Sequence, residues 1–294
     1  MRRLVLAAMM IGMVTGAQAA DLPDFPILRG SYVDAPSRSG NWEGWYVGGQ
    51  IGYTSGDIDF SHAPSAMTSF MLRESVLADP VSGWALLPKN HAQSNGFGAF
   101  VGRNWQWDDV VLGVEANYNY LNGLESSAGD SMTRQIVNPK GETPPSGHTY
   151  TYNTTLSGSA ALQVKDVTTF RGRAGWAAGN FLPYMFGGVA VGRMSVSRSA
   201  TVSWDKYDAW AETQTVGNNT VTIQHNDYLG SGSAAQTEQR VNNYAIGWTA
   251  GLGLEYCVVG GLFLRGEWEY VRFAAVKNIA VDMNSFRVGA GYKF

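Results

Sequence analysis

The chain has 294 residues and a formal net charge of only -3 with no long block of one sign, which gives nucleic-acid binding no electrostatic footing. Its 36 Gly, 12 Phe, 14 Tyr and 10 Trp beside few charges suit strands and turns, and essentially no helix is expected. Cys257 is the only cysteine, so no internal disulfide is available; it reads as a small filler at a strand end.

Met1-Arg2-Arg3, the apolar stretch Leu4 to Val14 and the small-x-small site Ala17-Gln18-Ala19 read as a secretory signal peptide over 1–19. The segment 20–40, with Pro23, Pro26 and Pro36, reads as a disordered periplasmic leader. No later run approaches the roughly 18 apolar residues of a membrane helix. That leaves a soluble exported protein, or a membrane protein built from strands.

Eight runs of period-two alternation follow, of about the 9 to 11 residues that a tilted strand needs to cross a bilayer. The first sets Trp45, Val47, Ile51 and Tyr53 against Tyr46, Gly48, Gln50 and Gly52. The second sets Phe97, Ala99, Val101, Trp105 and Trp107 against Gly98, Gly102 and Asn104, with Phe100 and Arg103 out of pattern. After a tight turn at Asp108-Asp109 comes the clearest run, Val110, Leu112, Val114, Ala116, Tyr118 and Tyr120 against Gly113, Glu115, Asn117 and Asn119. The fourth sets Phe170, Ala174 and Trp176 against Thr169, Arg171 and Arg173; the fifth, "LPYMFGGVAVGRM", is apolar on both faces and its orientation stays open. The sixth sets Tyr244, Ile246, Trp248, Leu252 and Leu254 against Gly247, Thr249 and Glu255; the seventh sets Leu262, Leu264, Trp268 and Tyr270 against Arg265, Glu267 and Glu269. The eighth, "FRVGAGYKF", alternates Phe286, Val288, Tyr292 and Phe294 with Arg287 and Lys293.

A soluble sandwich alternates too, but here the polar faces are rich in Gly and carry both signs: Glu115, Glu255, Glu267 and Glu269 with Arg171, Arg173, Arg265, Arg287 and Lys293. Side chains fill an eight-stranded interior, and charges taken from water there must pair. Long and short connections alternate, as in outer-membrane barrels with short periplasmic turns and longer external loops. The expectation is an all-β fold over 41–294, an eight-stranded antiparallel up-and-down transmembrane β-barrel with long extracellular loops. Trp107, Trp176 and Tyr256 near the short turns fit an interfacial girdle.

"WEGWYVGGQIGY", "GRNWQW" with "VLGVEANYNY", "FRGRAGW", "LPYMFGGVAVG", "GWTAGLGLEY", "LRGEWEYV" and "RVGAGYKF", with "AADLP" after the signal peptide, together resemble the small outer-membrane β-barrel (porin family) proteins of alpha-proteobacteria. These include the surface-antigen type of rhizobia and Brucella. The resemblance covers both ends and every expected strand; Arg103 stands where an aromatic residue is expected. It implies a Gram-negative outer-membrane location, contact with outer-membrane lipids and lipopolysaccharide, and recognition of Phe286, Val288, Tyr292 and Phe294 by the barrel assembly machinery. It leaves the oligomeric state open.

Chemistry finds little footing. His62, His91, His148 and His225 fall in expected external loops without short metal-ligand spacings, and Gly129-Asp130-Ser131 reads as a loop turn. No catalytic residue, metal or cofactor is expected. "ATVSWDKYDAW" and "NTVTIQHNDY" flank Gly217-Asn218-Asn219 and read as a hairpin above the membrane. There Trp204, Tyr207 and Trp210 form either a contact surface or packing within the loop. Three readings of function remain. The first is a structural, surface-exposed barrel with a narrow or plugged lumen, contributing to envelope integrity and surface interactions. The others are a diffusion porin for small solutes, and a loop-mediated haem receptor or lipid-modifying enzyme.

Overall fold

The computed structural model describes residues 41–294; the expected signal peptide and leader lie outside the described residues. Eight strands alternate in direction and close on themselves in chain order: β1 Gly44–Asp59, β2 Lys89–Trp107, β3 Val110–Val137, β4 His148–Trp176, β5 Phe181–Val216, β6 Asn219–Val259, β7 Leu262–Phe273 and β8 Ala280–Lys293. Closure runs through β8 against β1, from Tyr46 opposite Lys293 to Asp59 opposite Ala280, so no edge is left in the barrel wall.

The alternation has the physical cause expected of it. Val110, Leu112, Val114, Tyr118 and Tyr120 point outward and are exposed, while Val111, Glu115, Asn117 and Asn119 point inward and are buried. The ten steps from Val110 to Tyr120, at about 3.3 Å each and tilted by about 40°, cover about 25 Å, the height of an outer-membrane apolar band. Trp107, Trp176 and Tyr256 ring its lower margin, and Tyr53, Phe97, Tyr120 and Tyr244 its upper one. Arg103 also faces outward, at the lower margin, with its guanidinium 5.6 Å from the Trp45 ring and 5.2 Å from that of Trp105, so its apolar stem lies in the band and its head reaches the interface. The fifth run, ambiguous in sequence, turns Leu182, Tyr184 and Phe186 inward and Phe181, Met185 and Val189 outward.

Four strands do not stop at the upper girdle. β3, β4, β5 and β6 have 28, 29, 36 and 41 residues and continue as a paired sheet, so most of what reads as long loops is strand. The β5–β6 ribbon ends at a two-residue turn, Gly217-Asn218, with Gly217 at φ +66. Gly129-Asp130-Ser131 is accordingly part of β3 and not a loop turn. Just above the girdle the register shifts between Tyr120 and Leu124, between Val164 and Asp166, and between Met194 and Val196. An added residue exchanges the two faces of a strand. On β3 the even-numbered apolar series that meets lipid as far as Tyr120 turns inward above Gly123 as Leu124, Ala128, Met132 and Ile136.

What those inward residues cover is the connection after β1. Contrary to the expectation of essentially no helix, it carries two short ones, α1 Ser65–Met71 and α2 Ala78–Ser82. Pro64 caps the first and Pro80 stands in the first turn of the second, where a missing N–H is tolerated. Neither helix would persist alone at this length. Phe60, Ala63, Leu72, Leu77, Val81 and Trp84 bury themselves against Leu156, Leu162, Val196 and Val202 of the sheet. The connection thereby plugs the external mouth of the barrel.

Arg198 of β5 clamps this plug. Its Nη1 donates to the carbonyl oxygens of Ala63 (2.8 Å) and Lys277 (3.0 Å), and its Nη2 to Glu238 of β6 (2.6 Å). Hydrogen bonds from Lys277 and then Arg198 hold the Glu238 carboxyl down at about 2, against an ordinary value of 4.5. Its contribution to stability is therefore complete above about pH 4.5 and is lost as the pH falls toward 2. Hydrogen exchange over 61–88, corrected for the intrinsic effect of pH, is expected to accelerate as the pH passes down through that window. At neutral pH Glu238→Gln should accelerate it in the same segment, and unchanged protection in both tests would release the plug from this clamp.

Candidate functional site

The lumen is built in layers by side chains from all eight strands. At the bottom, Trp42, Val111, Ala177, Leu182 and Phe263 form an apolar floor with Tyr46, Phe100, Tyr184 and Phe186. Above it lie four arginines and four glutamates, each 5% exposed or less: Arg171, Arg173, Arg265 and Arg287 with Glu115, Glu255, Glu267 and Glu269. Gln50, Asn117 and Asn119 then bond one another in a neutral amide layer, beside Thr54 and Ser285. The apolar plug closes the top.

Strand pairing places three of the ion pairs directly opposite one another: Glu115 across from Arg171, Glu255 from Arg265 and Glu267 from Arg287. Other contacts cross the barrel, from β7 to β3 and from β4 to β6 and β7. Arg265 Nη2 of β7 donates to Glu115 Oε2 of β3 at 2.8 Å, and Arg171 Nη2 reaches Glu115 Oε1 at 2.5 Å and Glu267 Oε1 at 2.6 Å. Arg173 takes Glu255 in a two-pronged grip, both bonds 2.8 Å. The hydroxyls of Tyr46, Tyr184 and Thr249 donate to Glu115, Glu267 and Glu269 at 2.8, 2.6 and 2.8 Å. Arg287 is the weakest member. Its Nη2 lies 2.5 Å from Glu269 Oε2, but neither Nη2 nor Nε is aligned for a hydrogen bond.

Aromatic faces cover the cations. The Arg265 guanidinium sits 3.8 Å from the Phe100 ring centroid, and Arg171 sits 3.9 Å from that of Phe186. These rings need glycines beside them: a Cβ on Gly48 would lie 2.2 Å from Phe100 Cζ, and one on Gly251 would lie 2.4 Å from Phe186 Cζ. Phe100 breaks the period-two alternation of its run in sequence, yet it is a lumen residue, 2% exposed. The signal that finds it is Gly48, its direct partner on the adjacent strand β1.

Little space is left. The cavity above the charged layer, beside Thr54, Asn119, Ser285 and Arg287, holds about 10 Å3, and the one below it, beside Trp42, Asn104 and Phe263, also holds about 10 Å3. Each has room for about one water.

Other residues singled out from sequence are dispersed. Lys293 stands apart from the charged layer, at the lower rim, where its Nζ donates to the Asn41 carbonyl. Phe286, Val288, Tyr292 and Phe294 are exposed on the outer face of β8 and its end. Trp204 and Trp210 share the inward parity of β5, whereas Tyr207 takes the opposite one and packs its ring 5.5 Å from that of Tyr228. His62 lies in the turn after β1, and His91 is in β2, its Nδ1 2.8 Å from Asp57. His148 and His225, distant in sequence, stack on the two faces of Trp210 with centroids 5.4 and 3.9 Å away. Among the described residues no three His, Cys, Asp or Glu side chains are placed to hold a metal ion.

Comparison with known proteins agrees with this architecture. The family model described as outer membrane protein beta-barrel domain matches residues 5–294. The 31 kDa outer-membrane immunogenic protein of Brucella melitensis is 26% identical over 312 residues, covering 100% of both chains. The 22 kDa outer membrane protein of Rhizobium leguminosarum bv. viciae is 24% identical over 262 residues, covering 89% of this chain and 82% of the relative. The crystal structure of Ail, the attachment invasion locus protein of Yersinia pestis, aligns with a TM-score of 0.32 at 12% identity, over 86% of this chain and 99% of that one. With its closed ring of eight strands and a family match over nearly its whole length, the chain belongs to the outer membrane protein beta-barrel domain family, and its place is the outer membrane of a Gram-negative cell.

Proposed function

We propose that this protein is a non-conducting, non-enzymatic barrel that anchors a rigid sheet above the outer membrane, contributing to envelope integrity and surface contact. The observation that carries the reading is the charged layer: four cations and four anions, buried together and cross-linked from β3 to β7, with about 10 Å3 of space above and below. Solute passage would require breaking several of these pairs at once. Each broken pair leaves charges uncompensated in a space too small to rehydrate them. The diffusion reading needs an open path that this packing does not offer. The receptor reading needs exposed aromatic faces, and both faces of Trp210 are covered by imidazoles.

Two measurements test the sealed lumen. Mature protein, shown to be folded by its heat-modifiable migration, is expected to give no steady current steps in a planar bilayer. Reproducible openings of uniform size would make it a porin instead. Arg265→Met removes the cation that Glu115 and Glu255 share, leaves the layer with one more carboxylate than guanidiniums, and should destabilise the barrel by about 3–5 kcal/mol, read from denaturant midpoints in reversible micelle refolding. Adding Glu115→Gln to that variant should restore part of the loss, whereas a purely additive double variant would mean that the two side chains do not act as a pair.

A further inference from the structure

The outer face of the sheet above the girdle differs from an ordinary wet surface. From Ser127 to Thr133 on β3, and across β4 and β5 to β6 between Ser233 and Gln239, every outward side chain is Ser, Thr, Ala, Gln or Gly. Its hydroxyls are ordered in cross-strand pairs, Ser131 with Ser157, Thr133 with Thr155 and Ser159 with Ser199, each at 2.8 Å. Four strands and four rows span about 15 by 20 Å. A face that only has to stay soluble is normally studded with lysine and glutamate, and those are the side chains that cost most to cover, in desolvation and in lost rotamers. Here neither is present. Short hydroxyls lose little entropy when covered, and each offers a donor and acceptors.

At the foot of this face, along the line of register shifts, lies a groove of about 600 Å3, in the range of small-ligand sites, whose lining includes Glu125, Ser127, Gln163, Ser197, Gln239 and Arg240. It stands immediately above Tyr120 and Tyr244, the upper limit of the apolar band, at the level where the headgroups of the outer leaflet lie. A lipid whose headgroup is a sugar chain therefore meets the groove first and then runs along the hydroxyl face. We propose that the outer face of β3 to β6 binds the sugar chain of an outer-leaflet glycolipid in the same membrane, with the groove seating its innermost sugars. This rests on the outer-membrane location and not on the state of the lumen.

The test uses folded mature protein in lipid nanodiscs, labelled lipopolysaccharide carrying its complete sugar chain, and lipid A prepared from it. The complete glycolipid is expected to bind at least tenfold more tightly than lipid A. Ser157→Glu with Ser199→Glu, both on the outer face, should remove that gain and leave lipid A binding unchanged. Equal binding of the two glycolipids by the native protein overturns the proposal, and so does a variant that keeps the full gain. Free polysaccharide released from the same lipopolysaccharide and binding as tightly as the intact molecule would replace the membrane lipid by a soluble partner. Sedimentation of a native dimer that the double variant breaks would give the face to a second copy. Should the charged variant fail to fold, Ser157→Ala with Ser199→Ala takes its place with a several-fold loss expected, and the native comparison stands by itself. None of these readings depends on conductance, so failure here leaves the sealed lumen standing.

Discussion

Four arginines and four glutamates removed from water inside a ring of strands have one tolerable arrangement, each cation against an anion, and the barrel is organised around meeting it. Because Glu115 faces Arg171, Glu255 faces Arg265 and Glu267 faces Arg287 in the strand ladders, the pairing of charges and the pairing of strands are one constraint. A one-residue slip of any of these strands would turn its charges into the bilayer and its aromatics into the lumen. The buried ion pairs need not add net stability, since their desolvation offsets much of their attraction. What they supply is a large difference in energy between the native register and its neighbours. The phenolic hydroxyls of Tyr46 and Tyr184, and the Phe100 and Phe186 rings laid over Arg265 and Arg171, complete the coordination that strand partners alone leave open.

Above the membrane the solvent changes, and the sheet changes with it. In the bilayer band an outward side chain must be apolar; a few residues higher it meets water, and the apolar surface has to be inside. Irregular stretches on β3, β4 and β6 accomplish the exchange, as on β3, where Val110 through Tyr120 meets lipid and Leu124 through Ile136 meets the plug with the same even numbering. Strand β5 instead keeps its parity and changes its outward residues from Met185 and Val189 to Ser197 and Ser199. The plug is the other half of the arrangement. Without Phe60, Leu72, Leu77 and Trp84 to cover, the inward faces of β4 and β5 would be exposed apolar surface and the extension would have no core.

That inversion also explains what sequence could and could not reveal. The membrane strands were legible because alternation, small inward residues and the two signs of charge all point to one answer: Glu115, Arg171 and Glu267 read as interior from parity alone. Strand length was not. The apolar alternation of Leu156, Ala160, Leu162 and Val164 is as regular as that of the membrane runs, but its outward partners are serine and glutamine, which resemble loop composition. Helices α1 and α2 were invisible for a different reason: each is too short to show a helical period, and each exists because the half-pipe of strands beside it buries one face. Lys293 has the parity of an interior charge, yet it lies at the lower rim, below the layer where partners are available. Parity gives the face of a residue and not its depth.

The depth of each layer, in turn, separates the two halves of the molecule by their chemistry. Within the band most interior groups are already engaged, carboxylates with guanidiniums, guanidiniums with aromatic faces and amides with amides, Arg287 being the least satisfied. A ligand entering there would have to displace a satisfied partner, and the desolvated charge left behind would oppose it. Outside the band the position is reversed. The exterior hydroxyls of Ser131, Thr133 and Ser159 bond to those of Ser157, Thr155 and Ser199, carry no charge, and can exchange those bonds for equivalent ones at small cost. Recognition belongs where partners can be exchanged and rigidity where they cannot. In this protein that division falls at the line of bulges just above Tyr120, with the closely paired interior below it and the uncharged hydroxyl face above it.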